Sequence, residues 1–133
     1  MIIVGIDIAK DKHDCFICNT EGEALKEAFT VTNDLNGFNK LYRFVISCAV
    51  NDSVKMGLET TGHYSYNLLG FLLNKCPTTY VLNPLHTNLF RKSQSLRLTK
   101  TDKVDARTIA SMLMFDVSLK PYSNITYHDS ELK

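Results

Sequence analysis

Four acids in this sequence stand where carboxylates could share divalent cations. Asp7 closes the apolar run Ile2-Ile3-Val4-Gly5-Ile6, and Glu59 closes Val54-Lys55-Met56-Gly57-Leu58. Asp102 and Asp105 lie together at the start of a helical pattern. Mg2+ and Mn2+ take hard oxygen ligands, and carboxylates on rigid elements hold two such ions ~3.5–4 Å apart. A pair of ions so placed stabilises the attacking and leaving oxygens of a phosphoryl transfer.

Each acid also has a plainer explanation. Asp7 could form a turn, but Asp is depleted in strands. Ile6 and Ile8 share the core-facing side, which leaves residue 7 on the face of Gly5, where a missing side chain makes room for another group. Glu59 alone reads as an exposed carboxylate near a helix N-terminus, favoured by the dipole. Two acids closing separate strands of an α/β pattern change that balance, because sites in such sheets gather at strand ends. Asp102 and Asp105 resemble a helix cap and its third-position partner. Against this, residues 102, 105, 109 and 113 follow one helical face, so the carboxylates begin the stripe that turns apolar. Like charges held together raise each other's pKa unless a cation neutralises them, and a metal does this better than Lys103.

The elements that must position these acids can be read from periodicity. Ile2 to Ile8 is a short β-branched run typical of a buried strand. Asp14 to Asn19 and Ala24 to Thr32 are its antiparallel neighbours, joined by a hairpin turn near Thr20-Glu21-Gly22-Glu23. Asn33 or Asp34 caps a helix with Leu35, Phe38, Leu41, Tyr42, Val45 and Cys48 as its stripe. Ser53 to Glu59 is a fourth strand, and Thr60-Thr61-Gly62 leads to a helix carrying Tyr64, Leu68, Phe71 and Leu72. Thr79 to Leu82 is a fifth strand, stopped by Asn83-Pro84, which start a short helix to about Lys92. A polar, basic stretch from Ser93 to Thr101 precedes a last helix from about Asp102, with Ala106, Ile109, Ala110, Leu113 and Val117 buried. Three meandering strands followed by α-β-α-β-α fit an α/β, ribonuclease H-like fold: a central mixed five-stranded sheet flanked by helices.

Composition agrees with a globular enzyme and narrows its partners. The chain has 133 residues, 44% hydrophobic and 22% charged, with a net charge of only +1. That charge is unevenly spread. Residues 1–90 carry −2, whereas residues 91–107 carry +4 from Arg91, Lys92, Arg97, Lys100, Lys103 and Arg107. A basic segment containing Asp102 and Asp105 is an electrostatic footprint for nucleic acid beside metal ligands. No apolar run reaches the ~20 residues of a membrane span, and the N-terminus lacks the basic region and cleavage site of a signal peptide. The expectation is a cytoplasmic protein with Cys15, Cys18, Cys48 and Cys76 reduced. Cys15 and Cys18 form a C-x-x-C, but on a strand an odd separation sends them to opposite faces, which argues against zinc.

GIDIAKDKHD, LETTGHY and NPLHTNLFRKSQSLRLTKTDKVDARTIA together resemble the N-terminal DEDD domain of a bacterial insertion-sequence transposase family, the RuvC-like group related to the Piv DNA invertases. The stretch from Lys100 to Ala110 carries most of that resemblance; the GIDIAK start is common to many chains. The resemblance runs from about Ile2 to Pro121. It implies a catalytic and metal-binding tetrad of Asp7, Glu59, Asp102 and Asp105, and Mg-dependent recombination of DNA during element excision and insertion. It also implies an element-encoded structured guide RNA and a homo-oligomer in the full-length form. Family members carry a second, C-terminal transposase domain with a serine proposed as nucleophile. On this basis residues 1–120 are the RuvC-like domain, and 121–133 begin a linker toward that domain, which this sequence does not contain. Arg91, Lys92 and Arg97 would grip nucleic-acid backbone, and Lys100, Lys103 and Arg107 would hold flanking phosphates, the alternative being a solvated helix face. Lys10 and Lys12 could serve similarly.

Three other readings fit parts of the pattern. An actin-like ATPase opens with a similar strand but needs a Gly-rich turn after the Asp, and Ile8-Ala9-Lys10 supplies none. A stand-alone junction or RNA-strand nuclease would use the same acids. A nucleic-acid-binding remnant without catalysis would keep the basic segment and bind no metal.

Overall fold

The structure is a computed structural model that describes residues 1–50, 52–59, 66–75, 78–82 and 106–115. Its order is β1 (Ile2–Asp7), β2 (Lys12–Asn19), β3 (Ala24–Thr32), α1 (Leu35–Ala49), β4 (Val54–Glu59), α2 (Tyr66–Lys75), β5 (Thr79–Leu82) and α3 (Ala106–Phe115). The strands form one five-stranded sheet in the order β3-β2-β1-β4-β5. The hairpin partners β1/β2 and β2/β3 run antiparallel, while β1/β4 and β4/β5 run parallel. This is the mixed sheet anticipated from the order of elements.

β1 is central because it is apolar on both faces, as strands covered on two sides must be. Ile2, Val4, Ile6 and Ile8 join one core with Phe38, Leu41 and Val45 of α1 and Leu68, Leu69 and Leu72 of α2. Ile3 joins the opposite core with Phe16, Cys18 and Leu82 and with Ala106, Ile109, Ala110 and Leu113 of α3. Among the described residues, the period-2 alternation of a strand thus divides β1 between a layer with α1 and α2 and a layer with α3. Cys15 and Cys18 fall into different cores, as their odd spacing required.

The structure moves several boundaries. β2 begins at Lys12 rather than Asp14, because His13 and Asp14 extend the ladder opposite Val31 and Thr30. In α1, Leu35 is 64% exposed, and Gly37 and Ala49 take places in the buried stripe. In α2, Leu69 is buried and Phe71 only half-buried, its ring packed on Phe38. The expected helix at Pro84–Lys92, Tyr64, Val117 and the segment 121–133 lie outside the described residues.

Asp34 caps α1. Its backbone is extended (φ −156°, ψ 176°), and its Oδ1 accepts from the Gly37 N–H and the Thr32 hydroxyl, each at 2.8 Å. The Gly37 amide and then the Thr32 hydroxyl hold its carboxyl below the usual range. A group with a lowered folded-state pKa stabilises above its unfolded pKa and loses that contribution as pH falls through the folded value. Asn caps about as well and does not titrate. Asp34→Asn is therefore expected to match wild type in thermal unfolding at pH 7 and to lose less stability on acidification. An unchanged acid limb would mean that the cap adds nothing to the pH dependence.

Candidate active site

Asp7 and Glu59 end neighbouring parallel strands on one side of the sheet. The β1/β4 register runs from Ile2 with Val54 to Ile6 with Leu58, so Asp7 and Glu59 each stand one position beyond the last pair. By strand parity both share the face of Gly5 and Gly57, themselves register partners. That face carries α3. Both acids are half-buried, a position open to ions and still anchored in the ladder.

The two glycines explain how close α3 lies. A Cβ on Gly5 would collide with the Ala106 carbonyl oxygen and sit 2.8 Å from the Ala110 amide nitrogen. A Cβ on Gly57 would meet the Leu113 side chain at 2.5 Å. The helix therefore rests its first turn on Gly5, two residues before Asp7, and its last turn over β4. Lys55 Nζ donates to the Leu113 carbonyl at 2.6 Å, capping the negative end of the helix. Polarity is fixed by this arrangement: α3 starts over β1 beside Gly5 and ends over β4 at Gly57 and Lys55.

Asp14 is an acid that sequence reasoning left unassigned. It pairs directly with Asp7 across the β1/β2 ladder and so shares its face. The Thr30 hydroxyl donates to Asp14 Oδ1 at 2.8 Å, drawing that carboxylate toward β3. Like charges directly opposite in a sheet repel, and a cation beside them relieves the repulsion. Burial, with Asp14 and Asp7 adding to it, pushes the Cys15 thiol far up, so Cys15 is an inert core thiol. Its place in the ladder was legible from alternation; the identity of its neighbours across strands was not.

Arg107, on α3, turns the other way. Its guanidinium donates to both carboxylate oxygens of Glu27 on β3 and lies 4.6 Å from the Phe16 ring centroid on β2. Both partners are more than half exposed, so the ion pair contributes little to stability. A phosphate contact at Arg107 would compete with Glu27 for Nη2. Asp102, Asp105, Arg91, Lys92, Arg97, Lys100 and Lys103 lie outside the described residues. Among the described residues no three His, Cys, Asp or Glu side chains gather as a metal cluster. Asp7 and Glu59 are two oxygen donors of the type a hard ion needs, so the described part supplies half of the predicted tetrad. None of its helices is long and apolar enough to cross a membrane.

The fold has solved counterparts. RuvC from Thermus thermophilus in complex with a Holliday junction substrate superposes with a TM-score of 0.56 at 14% identity, covering 92% of this chain and 99% of that one. A second Thermus thermophilus RuvC structure gives 0.57 at 12% identity, covering 92% and 100%. At such identities the likeness establishes the RuvC, ribonuclease H-like fold. No curated protein sequence matches. A family model described as transposase, the DEDD transposases of IS110 type, matches residues 4–133. With nearly its whole length matched, the chain belongs to the IS110-type DEDD transposase family.

Proposed function

We propose that this chain is the metal-dependent catalytic domain of a DNA transposase, with Asp7, Glu59, Asp102 and Asp105 as its ligands for Mg2+ or Mn2+. Membership of a transposase family carries DNA as the substrate. The observation that supports the site is that Asp7 and Glu59 end adjacent parallel strands on the face that carries α3, whose first turn is seated on Gly5. Asp105 precedes Ala106 by a single peptide bond, and successive Cα atoms are ~3.8 Å apart. Ala106, the residue that follows it in sequence, is seated on Gly5, two residues before Asp7.

In this reading Asp7, on the central strand β1, would be the shared ligand, and Glu59 on β4 together with Asp102 and Asp105 would complete the set that holds the ions. Bound metal would supply charge stabilisation of the attacking and leaving oxygens at a scissile phosphate. The chain's own work is to hold Asp7 and Glu59 at the ends of hydrogen-bonded neighbouring strands, which reduces the reorganisation needed when substrate arrives. Arg91, Lys92, Arg97, Lys100 and Lys103 are proposed to position nucleic-acid backbone, a role that fixes register and does not read sequence. An element-encoded guide RNA, an oligomeric full-length form and the linker at 121–133 belong to the same proposal.

Calorimetric titration of Mg2+ and Mn2+ tests it, alone and with a DNA duplex present. Saturable binding that disappears in Asp7→Asn/Glu59→Gln is the expected result. Absence of binding under both conditions would overturn the metal site and favour the non-catalytic nucleic-acid-binding reading.

A further inference from the structure

The loop that leaves Asp7 is held by two side chains from elsewhere in the fold. Three of its backbone groups are gripped at once. The Ala9 N–H donates to His13 Nδ1 at 3.2 Å, the Lys10 carbonyl accepts from Asn33 Nδ2 at 3.0 Å, and the Asp11 carbonyl accepts from the Asn33 N–H at 2.9 Å. His13 belongs to β2 and Asn33 to the turn between β3 and α1, so the clasp joins both ends of the β2-β3 hairpin to the end of β1.

His13 is an unusual residue to find here. It is wholly buried, one of two buried polar side chains among the described residues, and its ring lies parallel to Phe38 at 6.4 Å between centroids, 7° apart in plane. A ring of that shape could be replaced by Phe if packing were its sole duty. Instead Nδ1 accepts a hydrogen bond, which places the proton of the neutral imidazole on Nε2. Nε2 is enclosed without a partner in hydrogen-bonding geometry. Burial holds the pKa of the ring below its ordinary value, with the Asn33 side chain opposing that effect, so the neutral form that can accept from Ala9 is the one favoured. Leaving a buried polar atom poorly satisfied costs stability, and a retained cost of this kind calls for a return.

We propose that His13 is a positioning residue for the Asp7 carboxylate. It fixes the Ile8–Asp11 loop, and with it the direction in which the chain leaves Asp7 and the placement of Lys10 beside the strand end. This rests on the reading of Asp7 as a metal ligand. Side chains that orient ligands from behind alter metal affinity by about 10- to 100-fold when removed.

Two replacements separate positioning from packing. His13→Phe keeps the ring and its stacking and removes the acceptor. His13→Gln keeps an amide oxygen to accept from Ala9 and loses the ring. Mn2+ affinity is measured by titration, and exchange of the Ala9 amide by NMR. Expected are roughly tenfold weaker Mn2+ binding and faster Ala9 exchange in His13→Phe, both restored toward wild type in His13→Gln. Thermal unfolding, by contrast, should favour the Phe variant. Mn2+ affinity that simply follows thermal stability across the two variants would overturn the proposal, as would Ala9 exchange unchanged in His13→Phe. If wild type binds no Mn2+ even with DNA, the metal reading of Asp7 has failed. Protected Ala9 exchange that His13→Phe abolishes would then still establish the clasp, and positioning of a metal ligand would be overturned with that reading.

Discussion

Asp7→Asn is expected to lower metal-dependent DNA strand cleavage or transfer on the order of 1,000-fold while leaving the fold intact. Stabilising developing charge at a phosphate is worth several kcal/mol, and each ~1.4 kcal/mol is tenfold in rate. A ligand shared by two ions affects both, so Asp7 should matter more than Glu59. Glu59→Gln is expected to be the milder of the two. Asn has the shape of Asp, so the ladder between β1 and β2 can form unchanged.

Stability should move the other way. Asp7 and Asp14 face each other directly in that ladder, and opposed like charges are destabilising by a few tenths to ~1 kcal/mol. Neutralising Asp7 removes that repulsion in the absence of metal. The signature of a functional acid is then activity lost with thermal stability kept or slightly raised, the pattern of sites that trade stability for chemistry. Cleavage assays on branched and linear duplexes with Mg2+ or Mn2+, beside thermal unfolding of both proteins, check the two arms. An Asp7→Asn protein with wild-type cleavage would remove Asp7 from the site.

What could be read from the sequence follows from how locally each feature is encoded. Asp7 and Glu59 were legible because each interrupts an apolar strand at its end, a contradiction visible within seven residues. Gly5 was legible as a gap on the Asp7 face, and the structure fills that gap with the backbone of α3. The stripe of Ala106, Ile109, Ala110 and Leu113 was legible from its period, and those residues are buried. Pairings across strands were not. Nothing local to His13 or Asn33 says that they meet at the loop after Asp7, because the β2-β3 hairpin brings them together. Arg107 was counted with a basic segment because charge was summed along the chain, and its Glu27 partner lies far back in the sequence on an edge strand. Leu35 was placed in the core because it opens the apolar period, but the first residue of a capped helix lies beyond the last contact with the sheet.

Gly5→Ala is expected to damage the fold heavily for the size of the change. The added methyl would fall on the Ala106 carbonyl oxygen and 2.8 Å from the Ala110 nitrogen, both backbone atoms with no rotamer to escape into. Either α3 lifts from β1 or the strand bends, and each loosens the core of Ile3, Phe16, Ile109 and Leu113. Overpacking against yielding side chains costs about 1–3 kcal/mol, and against backbone it belongs at or above the top of that range. Against a total of about 5–15 kcal/mol, that is a large share. Gly57→Ala provides the contrast, because its methyl meets side-chain atoms of Leu113, which have rotamers to shift into, and no backbone atom is among its three nearest contacts. Denaturant unfolding should therefore show a much larger midpoint drop for Gly5→Ala than for Gly57→Ala. Equal midpoints would mean that α3 is not seated on Gly5. The same displacement bears on the proposed site, since the first turn of α3 rests on Gly5, two residues before Asp7. Metal affinity of the folded Gly5→Ala protein should then fall beyond what its lost stability accounts for, which ties the helix seat to the chemistry it serves.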